Sequence, residues 1–172
     1  MIVFLRSIRV AVSLLMMCCI GAFGQTSPAA GKRTRPDTPD MVEMRNYRLS
    51  MEKLNKFAAA AQSLTALSKS NPGMKSAMQG GLGAKTMDEG VKVMESKYPE
   101  AATAIQKSGM SVREFFLVSV TLMTTSMVVG MKKQGQAIDQ LPATVSAENL
   151  AFVEQNSSKI EKLLNGLSSS SE

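Results

Sequence analysis

The feature of this sequence that most limits its fold is an uncharged stretch of seventeen residues, 115–131, which reads FFLVSVTLMTTSMVVGM. At 100° per residue, one face of a helix over this stretch carries Phe116, Val120, Met123, Met127 and Met131, and another carries Phe115, Leu122 and Val129. A helix that is apolar nearly all round is either the middle of a bundle or a membrane span. Seventeen residues give roughly 25 Å, the lower limit for spanning a bilayer.

We predict a buried bundle helix here, because amphipathic segments that can cover it lie on both sides. The methionine side chains are then expected to fill gaps in the core. The five hydroxyl side chains are expected to bond to carbonyls one turn earlier in the helix. Ser111 and Glu114 form a capping box at its start, with Met110 and Phe115 placed to form a hydrophobic staple. Lys132 and Lys133 end the helix and complement its dipole, so we predict a helix over residues 112–133.

Local signals predict the other helices. Ser50 is placed as the N-cap of a helix whose apolar positions recur every three or four residues. The sequence Asn71-Pro72-Gly73 ends that helix. Thr86 and Glu89 have the form of a second capping box, and Pro99 suits the first position of the next short helix. The apolar positions of the first helix are Met51, Leu54, Phe57, Ala61, Leu64 and Leu67.

The last predicted helix begins after Ser146 as its N-cap and runs to about Leu167. Its apolar positions follow a heptad spacing with one polar gap, which favours packing against the central helix. Those positions are Leu150, Val153, Ser157, Ile160, Leu164 and Leu167. Since no convincing strand pattern occurs, the predicted fold is all-α, a small single-domain bundle of about five helices around the apolar helix 112–133.

The N-terminus has the pattern of a signal peptide. Arg6 and Arg9 precede an apolar run of eleven residues, 10–20, and the small residues Ala22 and Gly24 fit a cleavage site before Gln25. The alternative, an uncleaved anchor, needs a longer apolar run. The predicted organisation is a signal peptide over residues 1–24, a disordered Pro-rich basic linker over 25–46, a helical domain over 47–167 and a flexible tail over 168–172.

Both cysteines, Cys18 and Cys19, lie inside this signal, and neither has the preceding residues of a lipoprotein acceptor. The processed chain therefore has no thiol and depends on its apolar core for stability. Removal of residues 1–24 leaves 18 Lys+Arg against 14 Asp+Glu. The cations concentrate near the new N-terminus, where a basic arm permits membrane contact. No aromatic residue occurs among the cations of the linker, residues 25–46, which disfavours nucleic-acid binding.

The composition excludes most kinds of catalytic site and metal site. The chain has no His, which removes histidine bases, Ser-His-Asp triads and most zinc sites. The sequence GGLGAKT over residues 80–86 lacks the glycine before lysine that a phosphate loop needs. Asp88 and Glu89 are adjacent, but they occupy the first turn of a helix, where negative charge is stabilising. No catalytic, cofactor-binding or metal-ligating residue is predicted, and no cofactor.

We therefore predict an exported, non-enzymatic binding or interaction module of the cell envelope, periplasmic or secreted. Its partner is expected to be a protein or an apolar ligand, which would meet either exposed cations near residues 45–56 or Met-lined gaps between helices. Two alternatives stay open. One is a Cu(I) carrier that uses the thioethers of Met123, Met127 and Met131, which stand at i, i+4 and i+8. The other is a membrane-inserted or lipid-binding protein.

Overall fold

The computed structural model describes residues 37–71, 73–74, 84–138 and 140–169, of which 166–169 by their backbone alone. This part of the chain forms six packed α-helices without strands, which confirms the all-α class. They are α1 (Pro39–Asn46), α2 (Met51–Ser70), α3 (Met87–Lys97), α4 (Pro99–Lys107), α5 (Val112–Lys133) and α6 (Ala147–Ser169). The predicted signal peptide with Cys18 and Cys19, the linker up to residue 36, and residues 80–83 of GGLGAKT lie outside the described residues.

Helix starts follow the predicted caps. In each case a hydroxyl oxygen accepts a hydrogen bond from the backbone amide three residues later, which satisfies one of the donors that a helix start leaves unpaired. The four pairs are Ser50 with Lys53 at 3.3 Å, Thr86 with Glu89 at 3.2 Å, Ser111 with Glu114 at 3.0 Å and Ser146 with Asn149 at 3.2 Å. After α4, Gly109 has a φ of +82°, a conformation that favours glycine just past a helix end.

The reciprocal half of each capping box is used differently. The Glu89 carboxylate accepts from the amide of Lys85 at 2.8 Å, one residue before the cap. The Glu114 carboxylate accepts from the Tyr47 hydroxyl at 3.0 Å. Glu89 therefore stays in a local contact at its helix start, whereas Glu114 is used in a tertiary contact.

Helix α1 lies in a segment that composition predicted as the end of the linker. Thr38 caps it and Pro39 occupies its first turn. It has no buried residue of its own, so apolar burial does not explain it. Polar contacts to α3 and α5 hold it instead, and these long-range partners cannot be read from local composition.

Helix α5 is the centre of the bundle and packs against α1, α3, α4 and α6, while α2 packs against α4, α5 and α6. The core between them contains Leu54, Leu64, Ile105 and Val118, each almost fully buried. On α6, the predicted seam supplies Val153 and Ile160 to this core, whereas Leu164 at the end of the seam is exposed. The helix bounds Val112–Lys133 predicted for the central helix are confirmed.

The prediction that α5 is a buried bundle helix is confirmed only in part. Its side chains toward the bundle are buried, but Met123 and Met127 are 61% and 67% exposed. These two methionines do not fill the core. On the outward side, α1 and α3 lie beside Phe116 and Val120, and no described helix covers Met123 and Met127.

The expected back-bonding of hydroxyl groups in α5 is confirmed at one position and wrong at two. The Thr124 hydroxyl donates to the carbonyl of Val120 at 2.8 Å. Thr121 and Thr125 are fully buried, and their hydroxyl oxygens have no hydrogen-bond partner.

Candidate interaction surface

The outward side of α5 carries a regular apolar row, which we call the α5 stripe: Phe116, Val120, Met123 and Met127. The spacing of these residues alternates between four and three, as in the seam of a coiled coil. Phe116 and Val120 are half-buried, whereas the two methionines are the most exposed large apolar side chains of the described chain. Isolated apolar side chains are common on protein surfaces, whereas adjacent exposed ones make a surface a candidate for binding.

The inward side of the same helix explains why the stripe points away from the core. Leu117, Val118, Leu122 and Val129 are buried against the neighbouring helices. Val118 and Val129 lie roughly opposite Met123 and Met127, and Leu117 and Leu122 lie nearer the two flanks, because a helix turns 100° per residue. Both sides are apolar, and only the placement of the other helices decides which side is covered.

The stripe continues at its N-terminal end into a cleft of about 250 Å³ between α1, α3 and α5. Met44 of α1 and Met87 of α3 line it together with Phe116 and Val120. Unbranched methionine side chains adapt to partners of different shape, so the cleft and the stripe together form a deformable apolar surface.

Gly90 forms part of the cleft wall inside α3. A Cβ atom at this position would lie 3.7 Å from Ala84 Cβ and 3.7 Å from Phe116 Cε2, which are ordinary van der Waals distances. Alanine would therefore fit, and glycine in a helix interior costs about 1 kcal/mol relative to alanine. The missing methyl group keeps this wall of the cleft open.

Arg113 joins the three helices between which the cleft lies. Its guanidinium binds the Glu43 carboxylate of α1 through two nitrogens, with Nε to Oε1 at 2.9 Å, and a third nitrogen binds Asp88 of α3. The hydrogen bonds from Arg113 lower the pKa of Glu43 below its ordinary value, against the opposing effect of burial. Asp40 of α1 adds a further tie, since its carboxylate accepts from the Met87 amide at 2.9 Å.

A second polar contact fixes the segment that follows α1 against α5. The Tyr47 hydroxyl donates to Glu114, and burial, followed by this hydrogen bond, raises the pKa of Tyr47 above its ordinary value. Tyr47 therefore keeps its proton and remains a hydrogen-bond donor over the physiological pH range.

The cations that the sequence suggested as a partner surface have partners inside the molecule. Arg45 pairs with Asp37 at 2.7 Å and Arg48 lies 3.5 Å from Glu148. Lys56 pairs with Glu52 at 2.8 Å, while Lys53 donates to the Arg48 carbonyl and lies over the Tyr47 ring. These ion pairs partly neutralise the positive charge of the region. The region is therefore a weaker candidate for binding a partner than the α5 stripe.

The residues considered for acid–base catalysis, phosphate binding and metal binding do not form a site together in the described part of the chain. Asp88 binds Arg113 and Glu89 accepts from Lys85, so neither carboxylate faces the other as an acid–base pair. Thr86 of GGLGAKT serves as the N-cap of α3. Within the residues that the structure describes, no three His, Cys, Asp or Glu side chains gather as metal ligands.

Among the described helices, α5 alone is long and apolar enough to cross a membrane by length and composition. Only 39% of its most apolar 18 residues are buried, because one side of the helix packs against the bundle and the other side is partly exposed.

Comparison with known proteins finds no family model, no curated protein and no solved structure that matches this chain. The sequence did group Phe116, Val120, Met123 and Met127 on one face. Only the placement of the other helices identified that face as the uncovered one.

Proposed function

We propose that this protein is an exported, non-enzymatic interaction module of the cell envelope that binds a helix of a partner protein on the α5 stripe. The observation that carries the proposal is the exposure of Met123 and Met127 in the middle of an uncharged helix. Leaving such side chains in water forgoes the stabilisation of burial, which for a methionine amounts to about 1.5–3 kcal/mol. A partner that covers them recovers this free energy on binding.

A helix is the best-fitting partner for three physical reasons. The stripe is straight, and its alternating spacing matches the knobs of a second helix. From Phe116 to Met127 it extends roughly 16 Å, about three helical turns. Methionine side chains on both sides of the cleft accommodate partner residues of different shape.

Binding of a synthetic amphipathic helix to the purified protein tests this proposal. The double variant Met123→Glu/Met127→Glu places two carboxylates on the stripe and is expected to weaken binding at least tenfold in a fluorescence anisotropy titration. The matched control Gln62→Glu/Gln155→Glu adds the same charge at exposed positions of α2 and α6, and is expected to bind like the parent. Equal binding by the parent and the stripe variant, both folded by circular dichroism, would exclude the stripe as the binding surface.

The exposure of the two methionines also favours a second candidate, the Cu(I) carrier. Thioethers are soft ligands that select Cu(I), and two of them on adjacent helical turns are open to solvent. The variant Met123→Leu/Met127→Leu separates the candidates, because leucine keeps the apolar stripe and removes the sulfur atoms. In competition with a chromophoric Cu(I) chelator, a carrier loses affinity for Cu(I) in this variant, whereas a helix-binding module keeps its peptide affinity.

A further inference from the structure

We infer that Met123 and Met127 form a reversible oxidation site, at which hydrogen peroxide converts both thioethers to sulfoxides while the protein stays folded. Methionine sulfoxide is returned to methionine by dedicated reductases, so the modification can be reversed. The position and selectivity of the site depend on the geometry of α5 alone. Its effect on binding rests on the proposed function, and the two are tested separately.

Access to the sulfur atom selects these two methionines. Met123 is 61% exposed and Met127 is 67% exposed, and they occupy successive turns of α5, about 6 Å apart along the helix axis. Met74, Met94 and Met110 lie in the core and are 2%, 4% and 3% exposed, so an oxidant in solution does not reach them. The other methionines of the described residues are partly buried: Met41, Met44, Met51, Met87 and Met131. The α5 pair is therefore expected to react first.

Few other side chains compete for the oxidant. The chain has no His and no Trp, and its two cysteines, Cys18 and Cys19, lie inside the signal peptide predicted over residues 1–24. After the proposed cleavage, the methionine thioethers are the only sulfur groups left. Exported proteins work in oxidising surroundings, so the proposed location also brings the site into contact with oxidants.

The reaction forms one S–O bond at each sulfur atom. A lone pair of the thioether attacks one oxygen of hydrogen peroxide and the O–O bond breaks. The departing hydroxide takes the proton of the transferred oxygen and leaves as water. Sulfur is oxidised by two electrons and peroxide is reduced by two, so each sulfoxide uses one peroxide. In the reverse direction, two thiols of a reductase become a disulfide, and the sulfoxide oxygen leaves as water.

The fold tolerates this change because the oxidised atoms stay in water. A sulfoxide is polar and disrupts a core when it forms at a buried methionine. At positions 123 and 127 the new oxygen atoms face solvent, while Val118, Leu122 and Val129 keep the inward side of α5 packed. Oxidation of the pair is therefore expected to leave Tm unchanged.

Two sulfoxides make the middle of the α5 stripe polar. A partner that covers the stripe would have to remove water from both sulfoxide oxygens, which is costly when no hydrogen-bond donor replaces the water. Given the proposed function, oxidation therefore weakens binding of the partner helix. For the same reason of access, a bound partner protects the two sulfur atoms from the oxidant.

Site-resolved oxidation rates test the site. The protein purified from its host is treated with dilute hydrogen peroxide, and mass spectrometry of proteolytic fragments gives the oxidation rate at each methionine. We expect Met123 and Met127 to react at least about tenfold faster than Met74, Met94 and Met110. In urea the difference should disappear, because every methionine is then exposed. Similar rates at all five positions in the folded protein would overturn the site.

Two leucine variants serve as matched controls. Met123→Leu/Met127→Leu keeps the stripe apolar and has no sulfur there, so it should lose the fast oxidation. Met131→Leu, at a partly buried position of the same helix, should keep it. Circular dichroism then compares the parent before and after oxidation of the pair. A lower Tm of the oxidised parent, absent from the peroxide-treated double variant, would overturn the claim that the fold tolerates the change.

A titration with a methionine-free amphipathic helix, after removal of peroxide, separates the inference from the proposed function. Oxidation of both sites should weaken binding at least about fivefold, methionine sulfoxide reductases should restore it, and the leucine double variant should bind equally before and after peroxide. If the untreated and oxidised parents bind equally, the effect on binding is overturned. If oxidation is unselective but the peptide binds, the inference fails and the interaction module stands. If oxidation is selective but the untreated protein binds no peptide, the proposed function fails and the oxidation site stands.

Discussion

The side chain of Asn149 in α6 binds the backbone of Leu49, one hundred residues earlier in the chain. Asn149 Oδ1 accepts from the Leu49 amide at 2.9 Å, and Asn149 Nδ2 donates to the Tyr47 carbonyl at 2.7 Å. Asn149 is 1% exposed. One buried carboxamide therefore binds two backbone groups of the extended segment between α1 and α2 and fixes that segment against α6.

Replacing this carboxamide should destabilise the protein strongly. Asn149→Leu removes the partner of the buried Leu49 amide and of the part-buried Tyr47 carbonyl, at a cost of about 2–4 kcal/mol in the free energy of unfolding. Urea denaturation followed by circular dichroism measures this change. Asn156→Ala is the control, since Asn156 binds the Phe152 carbonyl within its own helix, and its effect should stay below about 1 kcal/mol. Similar midpoints for Asn149→Leu and the parent would show that the contact contributes little.

The two buried hydroxyl groups of α5 should be dispensable. Thr121→Val and Thr125→Val each remove a hydroxyl oxygen that is buried without a partner and keep the shape of the side chain. Each variant is expected to raise the free energy of unfolding by about 1 kcal/mol. Thr124→Val is the comparison, because it removes a hydroxyl that does donate, to Val120, and it should not stabilise. A loss of stability in Thr121→Val and Thr125→Val would mean that these hydroxyls have partners, such as buried water.

The two sides of α5 should respond oppositely to a charge. Val118 is fully buried, so Val118→Asp places an unpaired carboxylate in the core and is expected to prevent folding. Met127→Asp places the same group on the exposed stripe and should change stability by less than about 1 kcal/mol. Thermal unfolding by circular dichroism distinguishes them. Equal effects of the two substitutions would contradict the assignment of the covered side.

The pair of Glu43 and Arg113 should make stability fall in acid. The pKa of Glu43 in the folded protein is lowered from its ordinary value of 4.5 by the hydrogen bonds from Arg113. The stabilisation is therefore present above the unfolded-state pKa and is lost as the pH falls through the folded-state pKa. Glu43→Gln is expected to show a smaller decrease in Tm below pH 4.5 than the parent does. Glu95→Gln, at an exposed position of α3, should follow the parent curve, and a Glu43→Gln curve parallel to the parent would exclude the coupling.

The export prediction is tested by determining the N-terminus of the protein as its host produces it. Intact-mass measurement of the protein purified from its host should show a chain that begins at Gln25, because Ala22 and Gly24 occupy the positions that signal peptidase reads. Retention of residues 1–24 in a detergent-dependent membrane fraction would support the anchor instead. Release by osmotic shock, without detergent, would place the processed protein in the periplasm.

Several parts of the fold were predictable because their causes are local. Ser50, Thr86, Ser111 and Ser146 define helix starts through bonds to residues three positions away. Helix α1 was missed although Thr38 and Pro39 are local signals of a helix start, because the segment lacks an apolar face. It is held by Met87 and Arg113, which bind residues of α1 47 and 70 positions earlier in the chain, and no pattern within α1 indicates these contacts.

The amino-acid sequence by itself determined the all-α class, most helix boundaries and an apolar helix over residues 112–133. Caps, prolines and the spacing of apolar residues act within one or two helical turns, so their effects can be predicted from the sequence alone. Tertiary structure alone decided which side of α5 is covered and where α1 binds. Burial depends on which neighbours reach a surface, and two apolar sides of one helix are equivalent until the other helices have packed against it.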